Sequence, residues 1–199
     1  MQAPEGTRLQ ILEAAFETLR NEGFTGATSR AVAARGGFNP ALIFYYFGSM
    51  DALLLATVDW TSERRLEAYR AALEDATSVE QLFAAATRLY REDRDSGHID
   101  VVSQMIAGSI ARSELAPEMV VRMQPWLKLC EETLDRVLAG SPQAAVIPTR
   151  ELAHAVVTFY LGANLLTHLD PDRARTDAVF ARLESLAPFL MLSLGDTRQ

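Results

Sequence analysis

The chain has 199 residues, 49% of them hydrophobic, a net charge of −7 and a single cysteine, so an intrachain disulfide is excluded. It is long enough to bury a core without support from a metal or a disulfide. The first 50 residues hold four arginines and four glutamates, so the net charge of −7 arises entirely beyond residue 50. This distribution argues against a polyanion-binding surface spread over the entire chain.

Helical periodicity covers most of the sequence, and strand-like alternation over more than four residues is absent, so the fold is predicted to be all-α. The first helix is predicted over 7–21, and Gly23 follows at a position that suits a left-handed C-terminal residue. Thr28 is expected to cap a short second helix that ends near Arg35.

A third short helix is predicted to follow the second at once. Gly36-Gly37 permits a tight turn, and Asn39 and Pro40 supply a capping residue and a proline suited to the first helical turn. This helix is expected to reach Phe47, and Ser49 is expected to cap the next one. Two short helices joined by a glycine-containing turn form the helix-turn-helix plan.

The predicted helices lengthen beyond residue 50. One is predicted over 50–75, and the next is predicted to begin at 77–78 and to be interrupted by the polar stretch at 91–97. Further helices are predicted over 99–112, 117–139, 149–169 and 176–194. We therefore expect about nine helices, in an N-terminal helix-turn-helix domain over 1–50 and a larger helical domain over 51–199.

The third helix is predicted to have two faces. A helical wheel directs Ile43 and Phe47 inwards and places Phe44 at the border. Four side chains are expected to point away from the core: Ala41, Leu42, Tyr45 and Tyr46. An outward face with two tyrosines and a leucine needs a cover, which could be the major groove of DNA or another part of the same chain.

Several residues of this region, in register with one another, carry a family resemblance. They are Thr28, Val32-Ala33, Gly37-Phe38, Asn39, Ile43 to Phe47, Ser49, Asp51 and Leu53. Together they resemble the N-terminal signature of the tetracycline-repressor-like (TetR) family of bacterial transcription regulators, over about residues 7–56. The remainder of the chain resembles that family only in its length and helical layout.

The resemblance implies which residues meet DNA. The groove-facing surface would consist of Asn39, Pro40, Ala41, Leu42, Tyr45 and Tyr46, and phosphates would be met by Thr28, Arg30 and Ser49. Two positions depart from the family pattern, because Phe44 stands where tyrosine is usual and Met50 stands where lysine is usual. Both usual residues commonly contact the DNA backbone, so position 50 is also expected to meet DNA. Because Met50 lacks the charge of the usual lysine, the salt dependence of binding is expected to be weak.

The last two helices are expected to hold a dimer together, because a single half-site offers too few contacts for specific binding. Each is more apolar than a helix covered on one side needs to be, and the resemblance implies a four-helix bundle made by two copies. The expected interface residues are Val156, Tyr160, Leu161, Phe180, Leu183 and Phe189. The same helices could instead fill the core of one protomer.

Large and adaptable side chains lie on the helices between these two regions. The resemblance implies that such residues line a pocket for a small-molecule effector, whose identity the sequence does not give. The candidates are Trp60, Tyr90, Met105, Ile106, Met123, Trp126, Phe159, Tyr160 and Asn164. Their helical spacing alone would assign most of them to the core.

The function predicted from these features is that of a ligand-responsive, DNA-binding transcriptional regulator. It is expected to be a repressor that binds a palindromic operator as a homodimer and is released by a small-molecule effector. The alternative is a helical module that binds a small molecule or a protein and has a degenerate DNA-binding domain. No catalytic residue, metal site or cofactor is predicted, since the phosphate-binding glycine loop, the nucleophile motif and metal-ligand spacing are missing from the sequence.

The sequence also predicts a cytoplasmic bacterial protein without a membrane partner. Its N-terminus lacks a charged start followed by an apolar core. The longest apolar run, at 152–169, contains two histidines, an asparagine and two threonines, which favours a buried helix over a membrane span.

Overall fold

The computed structural model describes residues 5–141, 148–169 and 174–193, and these ranges are helical without strands. The helices are α1 (Glu5–Gly26), α2 (Ser29–Gly36), α3 (Ala41–Phe47), α4 (Met50–Glu74), α5 (Val79–Ser96), α6 (His98–Ala111), α7 (Ala116–Leu138), α8 (Thr149–Leu169) and α9 (Ala174–Ser193), with a 3-10 turn at Ser113–Leu115. The predicted all-α fold with an N-terminal helix-turn-helix is confirmed.

The first helix is longer than predicted and is kinked. The sequence predicts an end near residue 21, whereas α1 continues to Gly26 across a kink at Gly23, whose φ of 73° lies in the left-handed region. Glycine adopts this φ at little steric cost. The local signal at Gly23 is therefore correct, but the chain resumes helical geometry after it.

The fifth helix also extends beyond the prediction. The expected interruption at the polar stretch is wrong, because α5 remains helical to Ser96 and ends at Gly97, whose φ is 74°. Arg, Glu and Asp are compatible with a helix interior. Asp93 lies on the buried side of α5, while Arg91 and Glu92 are exposed. A glycine, rather than the polarity of the side chains, ends this helix.

The chain divides into two compact units. The first comprises Met1–Arg65 with Gly97–Met123, and the second comprises Leu66–Ser96 with Gln124–Gln199. The helices α4 and α7 each contribute residues to both units. The predicted boundary between a DNA-binding domain over 1–50 and a larger domain over 51–199 is a division by function, and it stays a prediction.

The core of the first unit holds the helix-turn-helix together. Its fully enclosed side chains are Ile11, Leu12, Ala14, Ala15, Val32, Ile43 and Leu53. Trp60 packs against this cluster and meets Phe16 edge to face, with ring centroids 5.9 Å apart. The helix α6 packs on α1, where the backbone N–H of Phe24 donates to Gln104 Oε1 at 3.2 Å.

The core of the second unit is rich in aromatic side chains. The helices α5 and α9 pack together, and Tyr90 stacks on Phe180 with ring centroids 4.3 Å apart. The guanidinium of Arg136 donates to the carbonyl oxygens of Leu73, Glu74 and Ala76 at 2.7–2.8 Å. Leu73 and Glu74 lie in the last turn of α4, where a helix leaves its carbonyl acceptors unsatisfied, and Ala76 follows two residues after the helix ends.

No single helix within the described ranges has the length and apolarity needed to cross a membrane. Only α3 and α4 taken together reach that length and apolarity, and they are bent by 66°.

Candidate functional site

The second helix begins and ends where the sequence predicts. Thr28 has extended backbone angles and its Oγ1 accepts a hydrogen bond from the Ala31 N–H at 3.2 Å, as an N-cap side chain does. At the other end Gly37 is left-handed, with φ 69°, and its N–H donates to the carbonyl of Ala33. The turn between α2 and α3 therefore depends on a residue without a Cβ.

Side chains cap the starts of α3 and α4. Asn39 Oδ1 accepts from the Ala41 N–H at 2.9 Å, and Ser49 Oγ accepts from the Ala52 N–H at 3.0 Å. The predicted caps at Asn39 and Ser49 are confirmed, and Pro40 has the helical φ of −52° that suits the first turn.

One face of α3 is open to solvent. Tyr45 is 70% exposed and Phe44 is 50% exposed, and Ala41 and Gly48 are exposed as well. These four positions follow the i, i+3, i+4, i+7 spacing of a single helical face. We call Ala41, Phe44, Tyr45 and Gly48 the open face of α3.

The open face differs from the predicted one at two positions. Leu42 and Tyr46 are half-buried and pack against the core cluster of the first unit, so their predicted outward orientation is wrong in part. They precede the core-facing Ile43 and Phe47 by one residue, which is about 100° around the helix. The core cluster is wide enough to contact side chains at this angle as well. Phe44, predicted at the border, belongs to the open face.

Tyr46 nevertheless supports the open face. Its ring meets the ring of Tyr45 edge to face, with centroids 5.2 Å apart. Such a contact restricts the directions that the exposed Tyr45 ring can take.

Two of the four arginines in the first 50 residues are engaged within the protein. Arg35 pairs with Glu22 at 2.6 Å, and Arg20 lies 3.7 Å from Asp100. Within the described part of the chain, Arg8 and Arg30 have no ion-pair partner; both are exposed, and Arg8 lies over the Phe47 ring at 5.2 Å. Two exposed cations in the N-terminal part of the chain are thus available for an anionic partner.

Met50 contributes packing to this region. It is half-buried and lies against the core cluster of the first unit. It carries no charge, so it offers a phosphate no electrostatic attraction.

The nine candidate effector residues are divided between the two compact units. Trp60, Met105, Ile106 and Met123 belong to the first unit, and the remaining five belong to the second: Tyr90, Trp126, Phe159, Tyr160 and Asn164. Trp60 packs on the helix-turn-helix core and Met105 is fully buried.

The second unit brings together a polar cluster that the sequence analysis does not identify. The Tyr160 hydroxyl lies 2.6 Å from Asp93 Oδ2 and 2.8 Å from the Tyr69 hydroxyl, which also contacts Asp93. Asp93 is 1% exposed. Burial, together with the neighbouring Tyr69 and Asp93, raises the pKa of Tyr160, so its hydroxyl stays protonated and donates.

Aromatic side chains enclose this polar cluster. Trp126 meets Tyr69 edge to face at 5.2 Å, Tyr90 meets Tyr160 at 6.2 Å, and Asn164 Nδ2 donates to the backbone carbonyl of Tyr160 at 2.8 Å. The sequence does hold one signal for Asp93, because it lies three and four residues after the apolar Tyr90 and Leu89 and so on the same helical stripe.

The predicted dimer residues fall into different environments. Val156 is exposed, Leu161 and Leu183 are half-buried, and Tyr160 is engaged in the polar cluster. Phe180 is 5% exposed and stacks on Tyr90, so it offers a partner almost no surface. The side chain of Phe189 lies outside the described residues.

The surfaces of α8 and α9 carry further apolar side chains that are exposed in the single chain. They are Val156, Phe159, Leu165, Leu166 and Val179. Large exposed apolar side chains on neighbouring elements mark an interaction surface.

The described residues contain no group of three or more His, Cys, Asp and Glu side chains placed to hold a metal ion. Burial raises the pKa of the Cys130 thiol to about 11, so the thiol is protonated near neutral pH and unreactive.

The N-terminal region matches a known family model. Residues 11–57 match the model described as bacterial regulatory proteins, tetR family. The HTH-type transcriptional dual regulator CecR of Shigella flexneri is 39% identical over 80 residues, which cover 40% of this chain and 34% of CecR. The HTH-type transcriptional regulator BetI of Paraburkholderia phytofirmans is 36% identical over 87 residues, which cover 40% of this chain and 43% of BetI. The chain thus matches less than half of the length of these relatives.

The likeness in three dimensions extends over almost the whole chain. The structure of GusR from Salmonella enterica superposes with a TM-score of 0.76 at 20% identity, covering 96% of this chain and 98% of GusR. At this level of identity the likeness concerns the fold alone.

Proposed function

We propose that the chain is a member of the tetR family of bacterial regulatory proteins and acts as a ligand-responsive transcriptional regulator, which the match of residues 11–57 and the likeness to CecR support. It binds a palindromic operator in double-stranded DNA as a homodimer and represses until a small-molecule effector releases it. The observation that carries this proposal is the open face of α3, which presents Phe44 and Tyr45 to solvent.

The groups around the open face suit a DNA partner. The second helix of a helix-turn-helix enters the major groove, which is wide enough for an α-helix. Arg8 and Arg30 are exposed and available to phosphates. The hydroxyls of Thr28 and Ser49 accept from backbone N–H groups and keep their own hydrogens, which can be donated to phosphate oxygens.

The alternative of a binding module with a degenerate DNA-binding domain is less well supported. It is favoured by Phe44 and Met50, which lack the hydroxyl and the charge that are usual at these positions. In a module that binds only a small molecule in its helical domain, however, the exposed rings of Phe44 and Tyr45 would lie on the surface without a partner to cover them.

The second unit supplies the features expected of effector binding and dimerisation. Its aromatic side chains surround the hydroxyls of Tyr69 and Tyr160, which could orient a ligand of mixed apolar and polar character. The exposed apolar side chains of α8 and α9 support a two-fold interface formed by the same surface of both copies.

Selection of bound sequences from a random DNA pool with the full chain tests the proposed function. We expect a palindrome whose half-sites lie about one helical turn, 34–36 Å, apart. Replacing Tyr45→Ala should weaken binding to the selected site by about 10-fold or more. The matched control is Ile110→Ala, which removes another exposed apolar side chain of the first unit and should leave affinity unchanged. Failure to enrich any sequence would contradict the proposal.

A further inference from the structure

The open face of α3 carries almost no hydrogen-bonding groups. Ala41 offers a methyl group, Phe44 a phenyl ring and Gly48 no side chain, so the Tyr45 hydroxyl is the one polar side-chain group on this face. The helix from Ala41 to Phe47 contains no Arg, Lys, Gln, Asn, Asp or Glu. The bidentate pairings that distinguish guanine and adenine in the major groove are therefore missing from its sequence.

Asn39 is the nearest residue that could make such a pairing, and its carbonyl oxygen is already engaged. An asparagine that reads adenine accepts from N6 with Oδ1 and donates to N7 with Nδ2. Asn39 Oδ1 accepts from the Ala41 N–H at 2.9 Å and thereby caps α3. Reading adenine in this way would have to share Oδ1 with the bond that fixes the start of the helix, and that bond restricts the orientation of the side chain.

An apolar surface in the major groove has one chemical feature to recognise, the C5-methyl group of thymine. Alanine and phenylalanine side chains are suited to that contact because both are apolar and neither requires a hydrogen-bond partner. We infer that α3 reads its half-site mainly through thymine C5-methyl groups, with Phe44 as the principal specificity-determining residue and Ala41 as a second contact. This inference rests on the proposed function, since it names what the proposed DNA-binding surface recognises.

The exposure of Phe44 gives this contact a physical basis. Half of the side-chain surface is open in the free protein, so covering it with a thymine methyl removes apolar area from water on both partners. The tyrosine usual at this position could donate its hydroxyl to the DNA backbone, but Phe44 has no hydroxyl, so its gain on binding must come from an apolar partner. Burial of one methyl group is worth a factor of about 3 to 5 in affinity.

Replacement of thymine by deoxyuridine isolates the methyl group. Deoxyuridine pairs with adenine and keeps the O4 acceptor, and it lacks only the C5-methyl. In the selected operator, each thymine is replaced in turn and the Kd of the full chain is measured. We expect at least one position in each half-site at which deoxyuridine weakens binding by about 3- to 5-fold. Synthetic DNA pools contain no 5-methylcytosine, so any contribution of a C5-methyl group to binding of the selected operator comes from thymine.

Two variants assign the effect to Phe44. In Phe44→Ala the deoxyuridine penalty at one position should fall to less than about 1.5-fold, whereas Phe44→Tyr keeps the ring and should retain the penalty. Since Phe44 is half-exposed, neither variant empties the core, and circular dichroism verifies the fold. Val120→Ala, an exposed apolar position elsewhere in the first unit, should leave every penalty unchanged.

The outcomes separate this inference from the proposed function. If a palindrome is selected but deoxyuridine has no effect at any thymine, the methyl-reading inference is overturned while the regulator proposal stands. If the penalties persist unchanged in Phe44→Ala, the assignment to Phe44 is overturned. If no DNA sequence is selected, the proposed function itself fails and the inference fails with it.

Discussion

His98 is a titratable side chain that the fold keeps away from water. It is the first residue of α6, its side chain is 2% exposed, and its Nδ1 lies 3.2 Å from the Thr61 hydroxyl. Burial, together with the positive charge of Arg65, lowers the pKa of His98 to about 3. The imidazole is therefore neutral in the folded protein at every pH at which the protein is expected to work.

The depressed pKa of His98 predicts a loss of stability in acid. The unfolded chain binds a proton below about pH 6.5 while the folded chain does not, so protonation favours unfolding as the pH falls from about 6.5 towards 3. Each pH unit in this window costs about 1.4 kcal/mol, or about 2 to 3 kcal/mol at pH 4.5. Urea unfolding of the wild type and of His98→Gln at pH 7.5 and pH 4.5 measures this contribution.

The His98→Gln variant controls for the effect of acid on all the other titratable side chains. His98→Gln keeps a hydrogen-bonding side chain of similar size but does not titrate, so it should lose about 2 kcal/mol less between the two pH values than the wild type does. Equal losses in both proteins would show that His98 contributes nothing to the acid sensitivity.

At the scale of elements, α6 is tied to α1 and to the start of α4. Arg20 lies 3.7 Å from Asp100 near its start, Gln104 accepts from the Phe24 N–H in its middle, and Arg112 at its end makes a two-pronged ion pair with Asp51 at 2.5–2.6 Å. A guanidinium bonded through two nitrogens to one carboxylate has a fixed orientation.

Gly108 permits the close approach of α6 to α1. A Cβ added at this position would lie 2.4 Å from ring atoms of Phe24, which include the rigid Cγ, so the ring or the helix would have to move. Alanine favours a helix over glycine by about 1 kcal/mol, but overpacking typically costs about 1 to 3 kcal/mol. Gly108→Ala should therefore destabilise the protein by about 1 to 2 kcal/mol.

Thermal unfolding of Gly108→Ala beside Gly6→Ala checks this prediction. Gly6 is exposed in α1, and nothing lies within 4 Å of the position its Cβ would occupy. That variant should match or slightly exceed the stability of the wild type. A Gly108→Ala variant as stable as Gly6→Ala would show that α6 and α1 do not pack this closely in solution.

The helix boundaries could be predicted because their signals are local. Thr28, Asn39 and Ser49 cap helices through bonds to backbone N–H groups two or three residues away, and Gly37 ends α2 through its own φ. Each signal lies within one turn of the boundary that it sets, so a single sequence contains all the information that is needed.

The polar cluster of the second unit could not be predicted in the same way. Tyr69, Asp93 and Tyr160 are separated by 24 to 91 residues along the chain. Their proximity depends on how α4, α5 and α8 pack, which periodicity does not specify. The same limitation accounts for Leu42 and Tyr46, because a wheel gives directions around one helix but not how far its neighbours reach.

At the scale of the whole molecule, the distribution of charge restricts where the proposed DNA partner can bind. All of the net charge of −7 lies beyond residue 50, so the phosphate backbone is repelled by most of the chain and tolerated by its beginning. Arg8 and Arg30 lie in that neutral beginning, on or beside the helix-turn-helix. In the proposed complex, this asymmetry favours contact between the phosphates and the N-terminal part of the chain.

Binding of a palindromic operator requires two chains held in a fixed two-fold arrangement. The exposed apolar side chains of α8 and α9 are the proposed interface between the two copies. Among them Leu166 is exposed in the single chain. Leu166→Asp introduces a charge that a buried apolar interface cannot accommodate. We expect the variant to sediment as a protomer of 21.9 kDa and the wild type at twice that mass.

Loss of the dimer should also separate palindrome binding from half-site binding. Two linked reading heads bind a palindrome with an avidity of at least about 100-fold over one head, so Leu166→Asp should lose about that factor on the palindrome and very little on an isolated half-site. Val121→Asp places the same charge on an exposed apolar position of the first unit and should remain dimeric. A Leu166→Asp variant that stays dimeric would place the interface elsewhere, because an aspartate tolerated at this position cannot lie in a desolvated contact between the two copies.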